Sequence, residues 1–343
     1  MEVKNQWKAW IYLAPALVLL AIFTFYPFFK TIIISFLGSF EVDPETGLEV
    51  FKSGYSPVAK ADWKFTFNNF LYSIESPIIN WDTLEIVGTE VKYYGALADP
   101  ELKQALINTA VIAVVTVPGS TILALLISVA LNSIRPLQKF LQTIYFLPYV
   151  TNSIAIGMVF AIMFEVNTPN GKIENAVNIG IINEFLKLIG IDPRTWVLPG
   201  SSWGAKMVVA CTYGIWNALP FKIMILLGAL QSVNKQYYEA AQIDCATKFT
   251  TFRRITVPML SPMISYVLIT GFIGAFKEYS SLIGLFGENL ETYDMNTIVG
   301  LVYTQLNIIN NYGKAAAYAL SLFVLILLFT LVQLYVSNKK VHY

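Results

Sequence analysis

Residues 237–258 read YYEAAQIDCATKFTTFRRITVP, a polar and helix-prone stretch in a chain that is otherwise mostly apolar. Asn234 precedes it and is a residue type that caps the start of helices. Apolar side chains then recur every three or four positions, at Tyr238, Ala241, Cys245, Phe249, Phe252 and Ile255. This spacing predicts an amphipathic helix that lies outside the membrane, and Pro258 and Pro262 mark its end.

The composition around this stretch is that of a membrane protein. The 343 residues are 56% hydrophobic and 13% charged, whereas soluble domains are roughly 25% charged. A net charge of +1 gives no reason to expect a nucleic-acid partner. Cys211 and Cys245 form no disulfide or metal-binding pattern, and the single histidine, His342, lies next to the C-terminus. We therefore expect no catalytic site and no metal site.

Six apolar stretches are long enough to cross a bilayer, which takes about 20 residues. They are residues 9–36, 104–131, 139–164, 205–230, 262–286 and 312–336. The first follows Lys4 and Lys8, as a signal peptide would, but it is too long and lacks a small-residue cleavage site. We expect it to be retained, which predicts an all-α membrane protein with six transmembrane helices.

The charges of the loops predict the orientation of these helices. Basic residues precede helix one, follow helix six and fill alternate loops: Lys4, Lys8, Arg135, Lys139, Lys235, Lys248, Arg253, Arg254, Lys339 and Lys340. The loop 287–311 has no Lys or Arg, and acids outnumber lysines in 37–103. The positive-inside rule places both termini in the cytoplasm. The predicted domains are thus a tail and first helix at 1–36, an extracytoplasmic cap at 37–103, and a five-helix core at 104–343 with its cytoplasmic loop at 231–261.

The residues of that cytoplasmic loop allow two interpretations. Glu239 and Asp244, beside a face of small alanines, suit charge-assisted hydrogen bonds to arginines of a partner protein. Alternatively, the helix rests on the membrane surface with Arg253 and Arg254 held by lipid phosphates. The residues alone leave both open.

The stretch EAAQIDCATKFTTFRRITVP resembles the EAA loop of ABC importer permeases, whose pattern is EAA, three residues, Gly, then about nine residues to I-x-x-P. The positions that fit are Glu239, Ala240, Ala241, Asp244, Ala246, Ile255 and Pro258. Cys245 departs from the pattern because it stands where the family usually has glycine. Pieces similar to sugar permeases of the maltose and glycerol-3-phosphate type occur in the same order: YPFFKTIIISF at 26–36, NNF at 68–70, ALINTAV at 105–111, FLPYV at 146–150, WNALPF at 216–221, LQSV at 230–233 and YGKAAAYAL at 312–320.

The resemblance implies a type I ABC importer permease fold whose coupling helix, between helices four and five, sits in the cleft of a separate ATPase. The candidate ATPase-coupling residues are Tyr238, Glu239, Ala240, Ala241, Asp244, Cys245, Ala246 and Pro258. The implied partners are a second permease subunit in a heterodimer, two cytoplasmic ATPase subunits, an extracytoplasmic solute-binding protein and the lipid of a prokaryotic cytoplasmic membrane. The sequence has no G-x-x-x-x-G-K-[ST] phosphate loop. We therefore expect no cofactor in this chain, with ATP and Mg on the ATPase, and a transport subunit rather than an enzyme.

The implied cargo is a sugar, an oligosaccharide or a related polar solute, and polar groups inside the spans indicate where it passes. By resemblance, helices four and five supply the candidate substrate pathway: Trp216, Asn217, Ala218, Phe221, Gly271, Gly274, Ala275 and Glu278. Simpler interpretations are that Trp216 packs between helices, that Lys277 snorkels to the outer interface, and that Lys222 snorkels or contacts another subunit. Ala218 and Ala275 replace bulkier or polar residues, so the partner permease is an alternative location for much of the site.

Two other classes of membrane protein fit the composition. A secondary, ion-coupled transporter is the alternative, but no internal repeat is visible, and Glu278 is the only acid well inside a predicted span. An intramembrane protease lacks its usual motif, and His342 is too far from any span to serve a serine nucleophile. The two thiols make the importer prediction specific: Cys245 should face the ATPase cleft, and Cys211 should be buried in helix four.

Overall fold

The computed structural model describes residues 6–37, 40–42, 49–51, 67–71, 73–80, 85–134, 138–167, 178–307, 309 and 311–340. Lys4, Arg135 and His342, used in the sequence argument, lie outside these ranges, as does part of the predicted cap at 37–103. The chain forms two compact units, Met1–Leu102 with Leu301–Val324 and Lys103–Gly300 with Leu325–Tyr343.

Helices dominate the described residues. In chain order they are α1 (Gln6–Leu20), α2 (Tyr26–Ser35), α3 (Asn68–Leu71), α4 (Pro100–Ser133), α5 (Gln138–Val150), α6 (Ser153–Phe164), α7 (Ile181–Leu188), α8 (Trp203–Ser232), α9 (Lys235–Ile243), α10 (Lys248–Thr251), α11 (Val257–Met259), α12 (Ser261–Phe276), α13 (Ser280–Phe286), α14 (Ile298–Asn307) and α15 (Tyr312–Lys340). The π-helical turns Ala21–Phe25 and Phe252–Thr256 connect α1 to α2 and α10 to α11.

Four helical stretches in the described part of the chain are long and apolar enough to cross a membrane. They are Trp10–Ser35, Pro100–Ser133, Trp203–Ser232 and Tyr312–Ser337. They coincide with the predicted spans 9–36, 104–131, 205–230 and 312–336. A bent pair of helices, Lys248–Met259 and Ser261–Phe276, raises the number to five if it crosses as one span. The protein is a helical, multi-pass membrane protein.

The predicted span 139–164 is not one continuous helix. It is divided into α5 and α6, which are separated at Thr151 and Asn152. The Asn152 side chain accepts hydrogen bonds from the backbone N–H groups of Ile154 and Ala155, at 2.8 and 3.3 Å. An asparagine in this position supplies the acceptor that a new helix start needs, and the chain turns there.

The predicted span 262–286 is also broken, and this correction bears on the site. The helix α12 ends at Phe276, residues 277–279 form a non-helical link, and α13 begins at Ser280. On the other side, α12 meets the preceding Lys248–Met259 segment at an angle of 67°. Pro262 stands at the first turn of α12, where its missing N–H costs nothing.

Three short two-stranded antiparallel sheets depart from the all-α prediction. They pair β1 (Phe40–Val42) with β2 (Glu49–Phe51), β3 (Ser73–Asn80) with β4 (Glu85–Tyr94), and β5 (Val166–Asn167) with β6 (Asn178–Ile179). The longest runs in register from Ser73 opposite Tyr94 to Asn80 opposite Glu85, with two irregular steps. The strands lie in segments predicted to be loops outside the membrane, so the transmembrane part remains helical.

A buried ion pair organises the first compact unit. The Lys314 Nζ atom lies 2.6 Å from Asp99 Oδ2, and the hydroxyl of the fully buried Tyr318 donates to the same oxygen. Burial by itself would raise the pKa of Asp99, but the hydrogen bonds from Lys314, Tyr318 and the Glu101 backbone outweigh it and lower the pKa below 3.8. Because the folded-state pKa is lowered, the ionised carboxylate stabilises this unit at neutral pH, and that contribution is lost as the pH falls through the folded pKa.

The second compact unit has its core along α8. Tyr213 is fully buried there, donates to the backbone oxygen of Ser153 at 2.6 Å, and meets the ring of Phe160 edge to face. The helices α6 and α13 cross at two glycines in the same unit. A Cβ placed on Gly284 would lie 2.5 Å from the backbone oxygen of Ile154 and 2.9 Å from the Cα of Gly157. Only a residue without a side chain allows this close approach of two backbones.

Candidate transport cavity and coupling helix

A cavity of about 300 Å³ opens within the second compact unit, a volume at the lower end of the range for small-molecule sites. Its lining comes from α4, α5, α8, α12, α13 and the link between the last two. The lining residues are Ile112, Thr116, Val117, Ser120, Tyr149, Ala210, Gly214, Asn217, Ala218, Phe221, Lys222, Val267, Thr270, Gly271, Gly274, Ala275, Glu278, Ser281 and Leu282.

Seven of the eight predicted pathway residues meet at this cavity: Asn217, Ala218, Phe221, Gly271, Gly274, Ala275 and Glu278. Trp216 does not line it. Its ring instead packs against Phe160, with 5.1 Å between centroids, and stacks on Tyr213. Trp216 therefore packs between helices in this structure. That the other seven contact a solute stays a prediction.

Glu278 lies in the break between α12 and α13, and not within a helix as predicted. Its Oε1 atom accepts hydrogen bonds from the backbone N–H groups of Tyr279 and Ser281, both at 3.1 Å. The carboxylate thus satisfies two of the free N–H groups at the start of α13. Lys277, the neighbouring residue, ends α12 and is exposed.

The segment that follows α13 holds this break in place. Thr297 donates from its hydroxyl to the backbone oxygen of Glu278 at 3.1 Å. The Asn108 side chain on α4 donates to the backbone oxygens of Asp294 and Asn296, at 2.9 and 2.8 Å. The polar wall of the cavity is therefore fixed to a neighbouring helix, which gives it the rigidity that a binding site needs.

Lys222 was predicted to snorkel or to contact another subunit, and the structure places it elsewhere. It neither snorkels nor reaches outward: it is 4% exposed and lines the cavity from α8. Its Nζ atom donates to the backbone oxygen of Val117 at 3.0 Å and to the hydroxyls of Ser120 and Thr121 at 2.8 and 2.9 Å. Ser120 and Thr121, two adjacent hydroxyls in an apolar helix, were the available signal for this contact.

The predicted amphipathic helix at 237–258, called here the coupling segment, is divided into separate helices. Asn234 caps α9 as predicted, accepting from the Gln236 N–H at 3.0 Å, and the chain then turns at residues 244–247. The predicted apolar face does not continue beyond the turn, because the Phe249 side chain is 71% exposed. The Tyr238 hydroxyl lies 3.4 Å from that of Thr256 and joins the two helices across the turn.

The predicted coupling residues separate into exposed and inward-facing positions. Glu239, Ala240, Asp244, Cys245 and Pro258 are exposed, and Tyr238 and Ala246 are half-buried. Ala241 is only 6% exposed. The Ala241 side chain packs within this chain. Of the two alanines, only Ala240 is exposed and available to a partner.

Cys245 follows the C-cap of α9, Asp244, and stands at the position where a helix end of this kind requires a left-handed backbone. Its φ is 53°. The Ala246 N–H donates to the Ala241 oxygen at 2.9 Å and the Cys245 N–H to the Gln242 oxygen at 3.1 Å, which together form a Schellman motif at the end of α9. The family's glycine at this position thus has a physical reason, and this chain carries a thiol in the strained conformation instead. Cys211 is buried, as predicted, and Cys245 is exposed; that Cys245 faces an ATPase cleft stays a prediction.

We expect Cys245→Gly to stabilise the loop, because a Cβ in the left-handed region costs about 1–2 kcal/mol. The greater freedom of glycine in the unfolded chain offsets up to about 1 kcal/mol of this gain. Hydrogen exchange of the Cys245 and Ala246 amides, which close the Schellman motif, should slow by about threefold or more. Cys245→Ala is the control, because it removes the thiol and keeps the Cβ, and it should leave exchange unchanged. Faster exchange in Cys245→Gly would contradict the strain at this position.

Polar side chains that line a cavity among apolar membrane helices are typical of a transport pathway. A profile of the family described as "Binding-protein-dependent transport system inner membrane component" matches residues 117–342. The arabinooligosaccharides permease AraP of Bacillus subtilis is 30% identical over 282 residues, 79% of this chain and 84% of AraP. The lactose permease LacF of Rhizobium radiobacter is 24% identical over 97% of this chain and 95% of its own.

Solved structures agree with the fold. A bacterial ABC transporter that imports the acidic polysaccharide alginate has a TM-score of 0.67 at 20% identity, covering 99% of this chain and 98% of its own. The alginate transporter in complex with a periplasmic protein that carries an alginate pentasaccharide gives 0.68 at 20% identity, over 98% and 96% of the two chains. The chain belongs to the family of binding-protein-dependent inner-membrane transport components. It is a permease subunit of an ABC importer, a transport subunit whose ATPase is a separate chain.

Proposed function

We propose that this permease imports a sugar or oligosaccharide through the cavity between α4, α8 and α12. The observation that carries the proposal is the lining itself, which combines hydrogen-bonding side chains with an aromatic face. Asn217, Thr116, Thr270 and Glu278 offer donors and acceptors to hydroxyl groups, and the Phe221 ring lies nearly parallel to that of Tyr149, at 5.9 Å and 16°. Saccharides present hydroxyls at their edges and apolar C–H faces, which such a lining complements. Relatives named for arabinooligosaccharides and lactose support this class of cargo.

The proposed assembly follows the family. The chain pairs with a second permease subunit as a heterodimer, receives its cargo from an extracytoplasmic solute-binding protein and rests on two cytoplasmic ATPase subunits. No cofactor binds to this chain in the proposal, since ATP and Mg are held by the ATPase. The periplasmic protein bound to the alginate transporter supports the binding-protein partner by analogy of fold.

The proposed topology has six crossings with both termini in the cytoplasm of a prokaryotic cell, and α9 to α11 at the ATPase surface. In this arrangement α5 with α6 forms the third crossing, and the segment from α11 to α13 forms the fifth. The 37–103 segment is then an extracytoplasmic cap. The basic residues Lys235, Lys248, Arg253 and Arg254 on the coupling segment support this orientation.

Transport itself is the direct test of the proposed function. The complete importer, reconstituted in proteoliposomes with its binding protein on the cargo side, should take up labelled arabino-, malto- or galacto-oligosaccharides only when ATP is on the ATPase side. The control is the same preparation with an ATPase subunit unable to hydrolyse ATP. ATP-driven uptake of another class of solute, with none of these saccharides transported, would overturn the proposed cargo.

The topology has its own test, which uses the two thiols. A membrane-impermeant maleimide should label the exposed Cys245 from the cytoplasmic side when the permease pair lacks its ATPase, and binding of the ATPase should protect it. Cys211 should stay unlabelled in both states because it is buried in α8. Labelling of Cys245 from the outer face would reverse the orientation, and equal labelling with and without ATPase would place the docking surface elsewhere.

A further inference from the structure

Two charged side chains line the transport cavity, Lys222 from α8 and Glu278 from the link between α12 and α13. Every other residue that lines it is uncharged, so the two formal charges cancel. Among the described residues, no carboxylate lies within ion-pair distance of Lys222. The two groups therefore line the cavity without forming an ion pair with each other.

The ammonium of Lys222 has no hydrogen left for a solute. An ammonium carries three N–H donors, and three protein oxygens accept from it, those of Val117, Ser120 and Thr121. Gly271 on α12 leaves the space that this side chain occupies, since a Cβ there would come within 3.2 Å of the Lys222 Nζ atom. The Lys222 side chain thus lies between α12 and α4 and is hydrogen-bonded to α4.

Glu278 is different, because only half of its carboxylate is engaged. Oε1 accepts both backbone hydrogen bonds at the start of α13, from Tyr279 and Ser281. Within the part of the chain that the structure describes, Oε2 accepts no hydrogen bond. The charged atom that is free to bind at the cavity wall is thus an acceptor, and it is negative.

We propose that the cavity selects solutes that donate hydrogen bonds to Glu278 and carry no negative charge, so that neutral saccharides pass and acidic ones are rejected. This inference rests on the proposed saccharide cargo and specifies it. A sugar hydroxyl donates to Oε2 and brings no charge into the site. A carboxylated sugar meets an oxygen of its own sign, finds no free cationic donor, and has to bury an uncompensated charge among apolar helices. The charge of Lys222 alone would indicate an anion site. Its hydrogen bonds are all to α4, however, so it holds α8 and α4 together and does not bind the solute.

Matched saccharides test the proposal directly on the permease. The complete complex in lipid nanodiscs, without binding protein, is incubated with equimolar malto-, cello- and galacto-oligosaccharides, each supplied in its neutral form and with its C6 hydroxymethyl groups oxidised to carboxylates. The retained solutes are then quantified by mass spectrometry. Neutral forms should be retained at least about tenfold over their acidic counterparts, the ratio expected when a charged hydrogen bond is replaced by an unpaired charge.

Glu278→Gln is the informative variant, because the amide oxygen still accepts from Tyr279 and Ser281 while the negative charge is gone. It should narrow the preference for neutral forms by about tenfold. Preferential retention of acidic forms by the unmodified complex, or an unchanged preference in Glu278→Gln, would overturn the charge selection alone. Retention of neither form would overturn this inference, whereas the saccharide cargo itself is decided by the uptake assay with the binding protein present.

Discussion

Glu239→Ala is expected to leave the permease in the membrane and paired with its partner subunit, while ATP-driven uptake falls by more than about tenfold. Glu239 is exposed on α9, in the proposed docking surface, beside the exposed Ala240. Truncating one member of a charge pair that becomes buried at an interface typically costs about 2–5 kcal/mol. The measurement is saccharide uptake per assembled complex, together with the affinity of the permease pair for the ATPase.

Glu184→Ala is the matched control, because Glu184 is also an exposed helical glutamate but lies on α7, outside the coupling segment. This control should transport normally. If Glu239→Ala also transports at the normal rate with normal expression, Glu239 has no coupling role. Weak uptake with unchanged ATPase affinity would point to a defect later in the cycle than docking.

Gly284→Ala is expected to destabilise the permease strongly, even though alanine is the better helix former. The added Cβ would fall 2.5 Å from the Ile154 oxygen and 2.9 Å from the Gly157 Cα, and both obstacles are backbone atoms. The helices α6 and α13 must therefore move apart, and overpacking of this kind costs about 1–3 kcal/mol or more. Thermal unfolding of the purified permease pair in detergent should show a lower midpoint and a smaller folded fraction.

Gly228→Ala is the control for this effect. Gly228 is also helical, within α8, but a Cβ there meets no atom within 4 Å. Replacing an exposed helical glycine by alanine gains up to about 1 kcal/mol, so this control should be neutral or slightly stabilised. Equal unfolding temperatures for Gly284→Ala and the unmodified protein would show that the two helices separate without cost.

The sequence predicted the long transmembrane helices well, because a long apolar run is enough to identify such a helix. Four spans follow directly from long apolar runs, and the start of α9 follows from the cap at Asn234. The same apolar length concealed the breaks after Val150 and Phe276. Hydropathy averages over a window, whereas a break depends on one side chain that satisfies the freed backbone groups, such as Asn152 or Glu278.

The site was predictable residue by residue only where the family pattern marks it. Asn217 stands in WNALPF, and Glu278 is marked by the resemblance and by being the only acid well inside a predicted span. Lys222 was misplaced because the sequence does not reveal which neighbouring helix carries its acceptors, here Ser120 and Thr121. The sequence shows that Cys245 stands where the family usually has glycine, but only the backbone angle of 53° shows that the side chain sits in a left-handed conformation.

The 67° bend between Lys248–Met259 and α12 makes this part of the chain a lever. At a rise of about 1.5 Å per residue, its two arms are about 18 and 24 Å long, and the corner at Leu260 is 1% exposed. If the bend stays rigid, a push of about 3 Å at the Lys248 end becomes a sweep of about 4 Å at the far end of α12. The cavity-lining residues Gly271, Gly274 and Ala275 lie on the longer arm, α12. These residues lie about 17–23 Å from the corner, so a small stroke at the surface would reach the cavity wall at about its original size.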